Sequence, residues 1–145
     1  MKNRKKIHDD WETPQWLLDY IKEKYFDGGI YYDPCPIHPV FDAFDDPWYQ
    51  RCYVNPPYNR KDKEDFIEKA FVEWNKGKHI VMLLPVSTST QIFHKYILPF
   101  ANIEFLYGRV KFKGYNSKGE YVTDQCGQHD SMLVIFEGRI KHALG

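Results

Sequence analysis

The sequence has little of what defines several large classes of protein. Its 145 residues include only three cysteines, Cys35, Cys52 and Cys126, and no pair of them is spaced as CxxC. This spacing argues against a disulfide framework and against a zinc site, so we expect a reducing, intracellular environment. No apolar run approaches the ~20 residues that cross a bilayer, and the polar amino terminus does not resemble a signal peptide. We therefore expect neither secretion nor membrane insertion.

The chain also lacks an excess of charge of either sign. Lys and Arg total 20 and so do Asp and Glu, so any binding of nucleic acid would depend on a local patch. The six histidines show no metal-ligand spacing, and no metal is predicted. Hydrophobic residues make up 43% of the chain, which suits one packed domain. We predict that domain over residues 11–145, after a mobile basic tail at residues 1–10.

The hydrophobic patterns predict alternating strands and helices. A first helix follows WETP and ends at the Gly28-Gly29 pair, and IYYD is a short strand. From residue 52 the predicted order is strand, helix, strand, helix, strand, hairpin and strand. Successive βαβ units favour a parallel sheet with helices on both faces. The predicted fold is α/β, a minimal Rossmann-like sandwich with a mostly parallel sheet and an antiparallel strand near the carboxyl terminus.

The stretch CYVNPPY, residues 52–58, is the most informative motif. Neither proline has an N–H to donate to a ladder, so the strand stops at Val54 and a stiff corner follows. The amide oxygen of Asn55 and the carbonyl of Pro56 are two neighbouring acceptors, which suit an amino group with two hydrogens. Beyond Pro57, Tyr58 offers a flat face for a planar base. The alternative is a strand that ends in a Pro-Pro turn with a surface tyrosine.

Two further motifs lie close to predicted element ends. Asp33 ends the strand IYYD and is followed by Pro34, where a carboxylate could meet a ligand or simply form a turn. Thr13 in WETP is explained fully as a helix N-cap, although its hydroxyl could also face a ligand. Cys35 is interpreted as a loop cysteine, because Asp33 nearby disfavours a thiolate nucleophile.

Taken together, WETP, DPCP, NPPY, LLPVSTST, GRVKF and SMLVIFEG resemble the DNA N6-adenine methyltransferases of the phage, Dam-like kind. The resemblance covers most of the chain and implies a Rossmann-like methyltransferase domain that uses S-adenosyl-L-methionine. It implies that Asn55 and the Pro56 carbonyl hold the target amino group and that Tyr58 stacks on the base. Asp33 and Pro34 would line the cofactor site, with Trp11 and Thr13 near its methionine end.

The chain departs from this family in one place. Only about twenty residues separate DPCP from NPPY, fewer than the ~30 of a βαβ unit, so FDAFDD would have to wall the cofactor, with Asp42 as a polar contact. A separate target-recognition domain would not fit either. We expect DNA, as a duplex with the target base flipped out, to contact the segment 113–130 and five basic residues: Arg60, Lys61, Lys63, Arg109 and Lys111. Each of these charges could equally be a solvated surface group.

The function expected from the resemblance is site-specific methyl transfer to adenine N6 in DNA. Two alternatives stay open. One keeps the chemistry with another planar nitrogen as acceptor, in RNA adenine, cytosine N4 or a protein glutamine. The other is a degenerate domain that binds nucleic acid without catalysis.

Overall fold

The structure of the protein is a computed structural model that describes residues 11–36, 43–57, 59–127 and 129–138, so the predicted basic tail at residues 1–10 lies outside it. The helices are α1 (Gln15–Tyr25), α2 (Arg60–Asn75) and a short π-helix (Phe93–Ile97). The strands are β1 (Trp11–Glu12), β2 (Arg51–Val54), β3 (His79–Pro85), β4 (Asn102–Phe105), β5 (Lys111–Tyr115), β6 (Tyr121–Cys126) and β7 (Ser131–Phe136).

The main sheet has the strand order β2-β3-β7-β4, and it corrects the predicted fold class. Only β2 and β3 pair in parallel, whereas β7 pairs antiparallel with both β3 and β4. The prediction of a mostly parallel, Rossmann-like sheet is therefore wrong. The physical reason is that β7 follows a hairpin rather than a helical crossover, so it enters between β3 and β4 from the opposite direction. The predicted strand IYYD contributes one parallel bridge, between Tyr32 and Cys52.

A second, three-stranded sheet was not predicted as a unit. The hairpin of β5 and β6 forms as expected, but β1 adds to it antiparallel, with Trp11 opposite Gly114 and Glu12 opposite Lys113. This pairing joins the start of the described chain to a hairpin about a hundred residues later. It also places the hairpin beside α1, where Phe112 packs with Leu17 and Ile21.

The two central strands of the main sheet, β3 and β7, are buried on both faces, whereas the edge strand β4 is partly exposed. On one face, Val54 and Met82 of the sheet pack with Phe66 of α2 and with the π-helix. On the other face, Tyr53 and Leu133 pack on α1. Every residue of β7 is buried, as are all but the last of β3. Burial on both faces explains why these two strands appear in the sequence as continuous apolar runs.

The two long helices begin in different ways. Asn59 caps α2 as its Oδ1 accepts a hydrogen bond from the Asp62 N–H at 2.9 Å. Thr13, predicted to cap α1, does not do so: Pro14 occupies the cap position and no side chain bonds there. The Pro14 carbonyl instead accepts from the Leu17 and Leu18 N–H groups. The Thr13 hydroxyl is thereby available to the site described below.

Polar residues from several segments lie together along one edge of the main sheet, the edge formed by the carboxyl ends of β2 and β3. Asp33 follows the bridge at Tyr32, Asn55 follows β2, and Ser87 lies two residues beyond β3. Because β7 is antiparallel, its start lies at the same edge, with Ser131 opposite Pro85. In the part of the chain that the structure describes, no helix is long and apolar enough to cross a membrane.

Candidate active site

A cleft of about 310 Å³ opens where this sheet edge meets β1, the start of α1, and β5. Its volume lies at the lower end of the range for small-molecule sites. Carboxylate, hydroxyl, amide and ammonium groups share it with aromatic and aliphatic side chains. The residues that line it are Trp11, Glu12, Thr13, Gln15, Leu18, Asp33, Cys35, Pro36, Tyr53, Asn55 and Lys113. We call it the Asp33 cleft.

Asn55 lies at the end of β2, and its side-chain amide is oriented by the chain around it. Its Nδ2 donates to the Trp11 carbonyl at 2.5 Å and to the Thr13 hydroxyl at 3.3 Å. A carbonyl only accepts, so this contact decides which end of the amide is nitrogen. Asn55 Oδ1 is buried and has no hydrogen-bond partner among the described residues. A buried acceptor without a partner is uncommon in native proteins, and this oxygen has its full capacity to accept a hydrogen bond.

Thr13 links the corner at Asn55 to β2. Its buried hydroxyl is hydrogen-bonded to the Tyr53 hydroxyl at 2.5 Å, and it also accepts a hydrogen bond from Asn55 Nδ2. Tyr53 reaches it from the face of β2 that packs on α1. Thr13, which was predicted to cap a helix, therefore contacts Asn55, the residue predicted to bind the target amino group.

Asp33 lines the cleft at the end of its bridge strand. Its Oδ1 accepts from the Cys35 N–H at 2.8 Å, an Asx turn that fits the turn interpretation of DPCP. Burial raises the pKa of Tyr31 nearby, and the negative charge of Asp33 adds to this effect. Pro34 is buried beside Asp33 but is not among the residues that line the cleft.

The remaining residues of the predicted corner and cofactor wall have mixed outcomes. Pro56 and Pro57 are buried directly after Asn55, whereas Tyr58 and Asp42 lie outside the described residues. In the described part of FDAFDD, residues 43–46, Ala43 and Phe44 belong to the core cluster against α2, whereas Asp45 and Asp46 are exposed. None of these four residues lines the Asp33 cleft, and their role as a cofactor wall stays a prediction.

Sequence reasoning missed several residues of the cleft. Glu12 and Lys113 enter it through the unpredicted pairing of β1 with β5, and their charged groups lie 3.9 Å apart. Tyr53 enters through its hydroxyl, and Leu18 from the first turn of α1. The alternation of side chains along the strand RCYV could have placed Tyr53, because Tyr53 lies on the opposite face of the strand from Cys52 and Val54.

The basic residues predicted to contact DNA differ in how far they are engaged within the protein. Arg60 pairs with Glu64 and Lys61 with Asp65, both one turn apart on exposed helix surface. Arg109 donates to the Gly127 carbonyl at 3.0 Å, and Lys111 is exposed on β5. Lys63 is half-buried, and burial lowers its pKa.

The buried thiol of Cys52 is not a candidate nucleophile. Burial raises the pKa of Cys52 to about 12, so its thiol stays protonated at neutral pH. No group of three or more His, Cys, Asp or Glu side chains is placed to hold a metal ion among these residues.

The structure combines a mixed sheet between helices, a polar cleft at the strand ends and, on the wall of that cleft, an amide oxygen without a partner among the described residues. The family model described as DNA N-6-adenine-methyltransferase (Dam) matches residues 1–143. The chain belongs to this family of enzymes that methylate adenine N6 in DNA. The resemblance of its motifs to Dam-like enzymes is thereby confirmed at the level of the family. No curated protein and no solved structure matched the chain.

Proposed function

We propose that this chain transfers a methyl group from S-adenosyl-L-methionine to the N6 amino group of an adenine flipped out of duplex DNA. The observation that carries the proposal is the buried, unpartnered Oδ1 of Asn55 at the end of β2. Membership of the DNA adenine methyltransferase family supplies the reaction class, and Asn55 supplies a place for the amino group.

The proposed role of the corner is to hold and reshape the target nitrogen. The lone pair of an aromatic amine is delocalised into the ring, which makes the amine a weak nucleophile. Hydrogen bonds from N6 to Asn55 Oδ1 and to the Pro56 carbonyl favour a tetrahedral nitrogen whose lone pair points away from the ring. Tyr58 stacks on the base and holds its plane. Positioning supplies most of the rate enhancement, and no covalent enzyme intermediate is needed.

The polar groups of the Asp33 cleft fit the proposed cofactor. When bound, S-adenosyl-L-methionine would supply an electrophilic methyl group carried on its sulfonium sulfur. Asp33 and Glu12 are carboxylates suited to an ammonium, to ribose hydroxyls or to a positive sulfonium. Lys113 suits a carboxylate, and Trp11 and Tyr53 give apolar surface. Thr13 and Asn55, which are hydrogen-bonded to each other, join this cleft to the proposed base site.

The DNA is proposed to lie against the second sheet. The β5–β6 hairpin is exposed along almost all of β6, and its turn is ordered by Asn116 Oδ1, which accepts from the Lys118 and Glu120 N–H groups. A two-stranded ribbon fits the major groove of B-DNA, where base sequence is readable. Lys111 would contact the backbone beside it. The target base must leave the stack to reach Asn55.

The proposal is tested by incubating the protein with methyl-labelled S-adenosyl-L-methionine and unmethylated DNA, followed by digestion to nucleosides. Label in N6-methyladenine is the expected result. RNA, cytosine-only DNA and a glutamine peptide run in parallel test the other planar nitrogens. Label on one of those acceptors alone, or on none, would contradict the proposal.

A charge-only substitution at Asp33 tests the cofactor site. Asp33→Asn keeps an oxygen for the Cys35 N–H but removes the negative charge, whereas Asp33→Ala removes both. If the charge binds the cofactor, both variants should bind S-adenosyl-L-methionine at least about tenfold more weakly, the size of one charge-assisted hydrogen bond. Isothermal titration calorimetry measures the affinity. Wild-type affinity in the Asn variant would mean that Asp33 stabilises the turn but does not bind the cofactor through its charge.

A further inference from the structure

Two more cavities adjoin each other beyond the Asp33 cleft, and Trp11 separates the first of them from that cleft. This first cavity, of about 310 Å³, lies between the ends of β3 and β7 and the second sheet, with Trp11 and Phe112 in its wall. The other, of about 390 Å³, lies between α2 and the segment before the π-helix, with Arg60 and Thr90 in its wall. They share Lys63, Leu84, Pro85 and Ser87, and we call them together the Lys63 groove.

Lys63 differs from the other basic residues of α2 and its C-cap. The other four each pair with a carboxylate of the same helix, Arg60 with Glu64, Lys61 with Asp65, and Lys69 and Lys76 with Glu73. Lys63 has no ion pair or side-chain hydrogen bond with any described residue. It is nevertheless half-buried, and this burial disfavours its charged form. An anion bound in the groove would offset that cost.

The rest of the groove suits one face of an oxyanion. Ser87 and Ser89 provide hydroxyl groups, while the Thr90 hydroxyl already accepts from the Phe93 N–H at 3.3 Å. Among the described residues of both walls, Glu64 is the one carboxylate, and it is paired with Arg60 at 3.3 Å. Within that same set, Lys63 makes no ion pair, and the nearby charge of Glu64 offsets only part of the cost of its burial. The wall around it also contains hydroxyl donors.

We propose that the Lys63 groove binds a backbone phosphate of the DNA strand that carries the target adenine. The position follows from the chain: Lys63 lies in the first turn of α2, which begins just after the corner that contains Asn55. A phosphate held there fixes the strand while its base occupies the site at Asn55, since phosphate contacts set position and orientation on DNA. This inference rests on the proposed function, and it singles out Lys63 among the five basic residues predicted from the sequence.

The test is the salt dependence of DNA binding by the full chain. Lys63→Met keeps an apolar stem of similar length and removes the charge. Lys22→Met removes the same charge from an exposed position on α1, on the opposite face of the sheet, and is the matched control. Binding to a short fluorescent duplex is followed by anisotropy at several salt concentrations. Lys63→Met should bind about tenfold more weakly at low salt and lower the slope of log K against log salt by about 1. Lys63→Arg should restore both, and the control should match the wild type.

Three outcomes would overturn the inference. One is a wild-type salt slope in Lys63→Met, in a variant whose thermal unfolding is also that of the wild type. Another is an unchanged slope together with weaker S-adenosyl-L-methionine binding in calorimetry, which would assign Lys63 to the cofactor carboxylate. The third is equal loss in the Lys22 control. Methyl transfer by the wild type is measured separately, so failure of the groove and failure of the proposed function give different results.

Discussion

Replacing Asn55 with alanine is expected to lower the rate of methyl transfer to DNA by about 10²- to 10³-fold, the usual cost of removing one preorganised hydrogen-bonding group from an active site. The substitution removes the buried Oδ1 that is proposed to accept from the target amino group. Single-turnover transfer of labelled methyl, at saturating cofactor and DNA, measures this rate. Turnover by Asn55→Ala at the wild-type rate would contradict the proposed mechanism.

The alanine variant also removes the contacts made by Nδ2, so a second variant is needed to separate the two ends of the amide. Asn55→Asp keeps an acceptor oxygen and replaces the donor with an oxygen that faces the Trp11 carbonyl. If Oδ1 is the working end, the aspartate variant should be clearly faster than the alanine variant. If anchoring of Trp11 and Thr13 is what matters, the two variants should be equally slow.

Cofactor binding distinguishes a chemical role from a collapsed site. Asn55 lines the Asp33 cleft, but Asp33, Glu12 and Lys113 supply its charges. We therefore expect Asn55→Ala to lose far less affinity for S-adenosyl-L-methionine than it loses in rate. Calorimetry on the variant checks this, and thermal unfolding confirms that it remains folded. Loss of cofactor binding as large as the loss in rate would place Asn55 in the cofactor site instead.

Local patterns predicted the elements that end in the site. The end of β2 at Val54 follows from the missing N–H groups of two prolines, and the extent of α2 follows from its buried face at Phe66, Ile67 and Ala70. The hairpin of β5 and β6 and the buried strand β7 were likewise readable from turn residues and continuous apolar runs. Each of these signals depends on neighbours within a few residues.

Long-range pairing could not be predicted in the same way. β1 is only two residues long and carries no periodic pattern, yet it brings Glu12 and Lys113 into the cleft. The antiparallel direction of β7 was predicted from the hairpin before it, but its uniformly apolar sequence does not encode which gap in the sheet it fills. The local sequence around Thr13 favoured a helix cap, but its hydrogen-bond partners, Tyr53 and Asn55, are about forty residues away in the chain.

The second large effect is expected at Glu73, which is not among the residues that line the Asp33 cleft. Its side chain is fully buried on α2, where Oε1 accepts from the Trp48 N–H at 2.8 Å and from Lys78 Nζ at 3.0 Å. Lys76 and Lys69 approach Oε2 at 3.0 and 3.4 Å. One carboxylate thus balances three ammonium groups, two of which belong to side chains that are themselves mostly buried.

Glu73→Gln should lower the free energy of unfolding by about 3–5 kcal/mol, because removing one member of a buried ion pair leaves the others uncompensated. The variant retains an oxygen for the Trp48 N–H and a side chain of the same size, so the loss of stability measures the contribution of the negative charge. Urea unfolding measures it from the shift in midpoint at constant slope. The matched control is Glu64→Gln on the same helix, whose exposed pair with Arg60 is worth only about 0.3–0.5 kcal/mol. Equal effects of the two substitutions would contradict the argument.

The pH dependence of this effect has a definite sign. Burial alone would raise the pKa of Glu73, but the hydrogen bonds from Trp48, Lys78 and Lys76 and the charge of Lys69 outweigh it and lower the pKa to about 2, against 4.5 when unfolded. Its contribution is therefore complete above pH 4.5 and is lost as the pH falls from there toward 2. The stability difference between wild type and Glu73→Gln should shrink over that range. A constant difference would mean that Glu73 stabilises the fold without its charge.

The Glu73 cluster also holds the backbone just before β2. Lys78 donates to the Trp48 carbonyl at 2.7 Å while Glu73 holds the Trp48 N–H, so both backbone groups of this residue are fixed three positions before β2 begins. β2 ends at the corner that contains Asn55. At a temperature where Glu73→Gln is still folded, its methyl transfer per folded molecule should remain close to that of the wild type, because β2 is also held by four ladder pairs with β3. A fall in rate comparable with that of Asn55→Ala would instead mean that the cluster sets the position of the acceptor site.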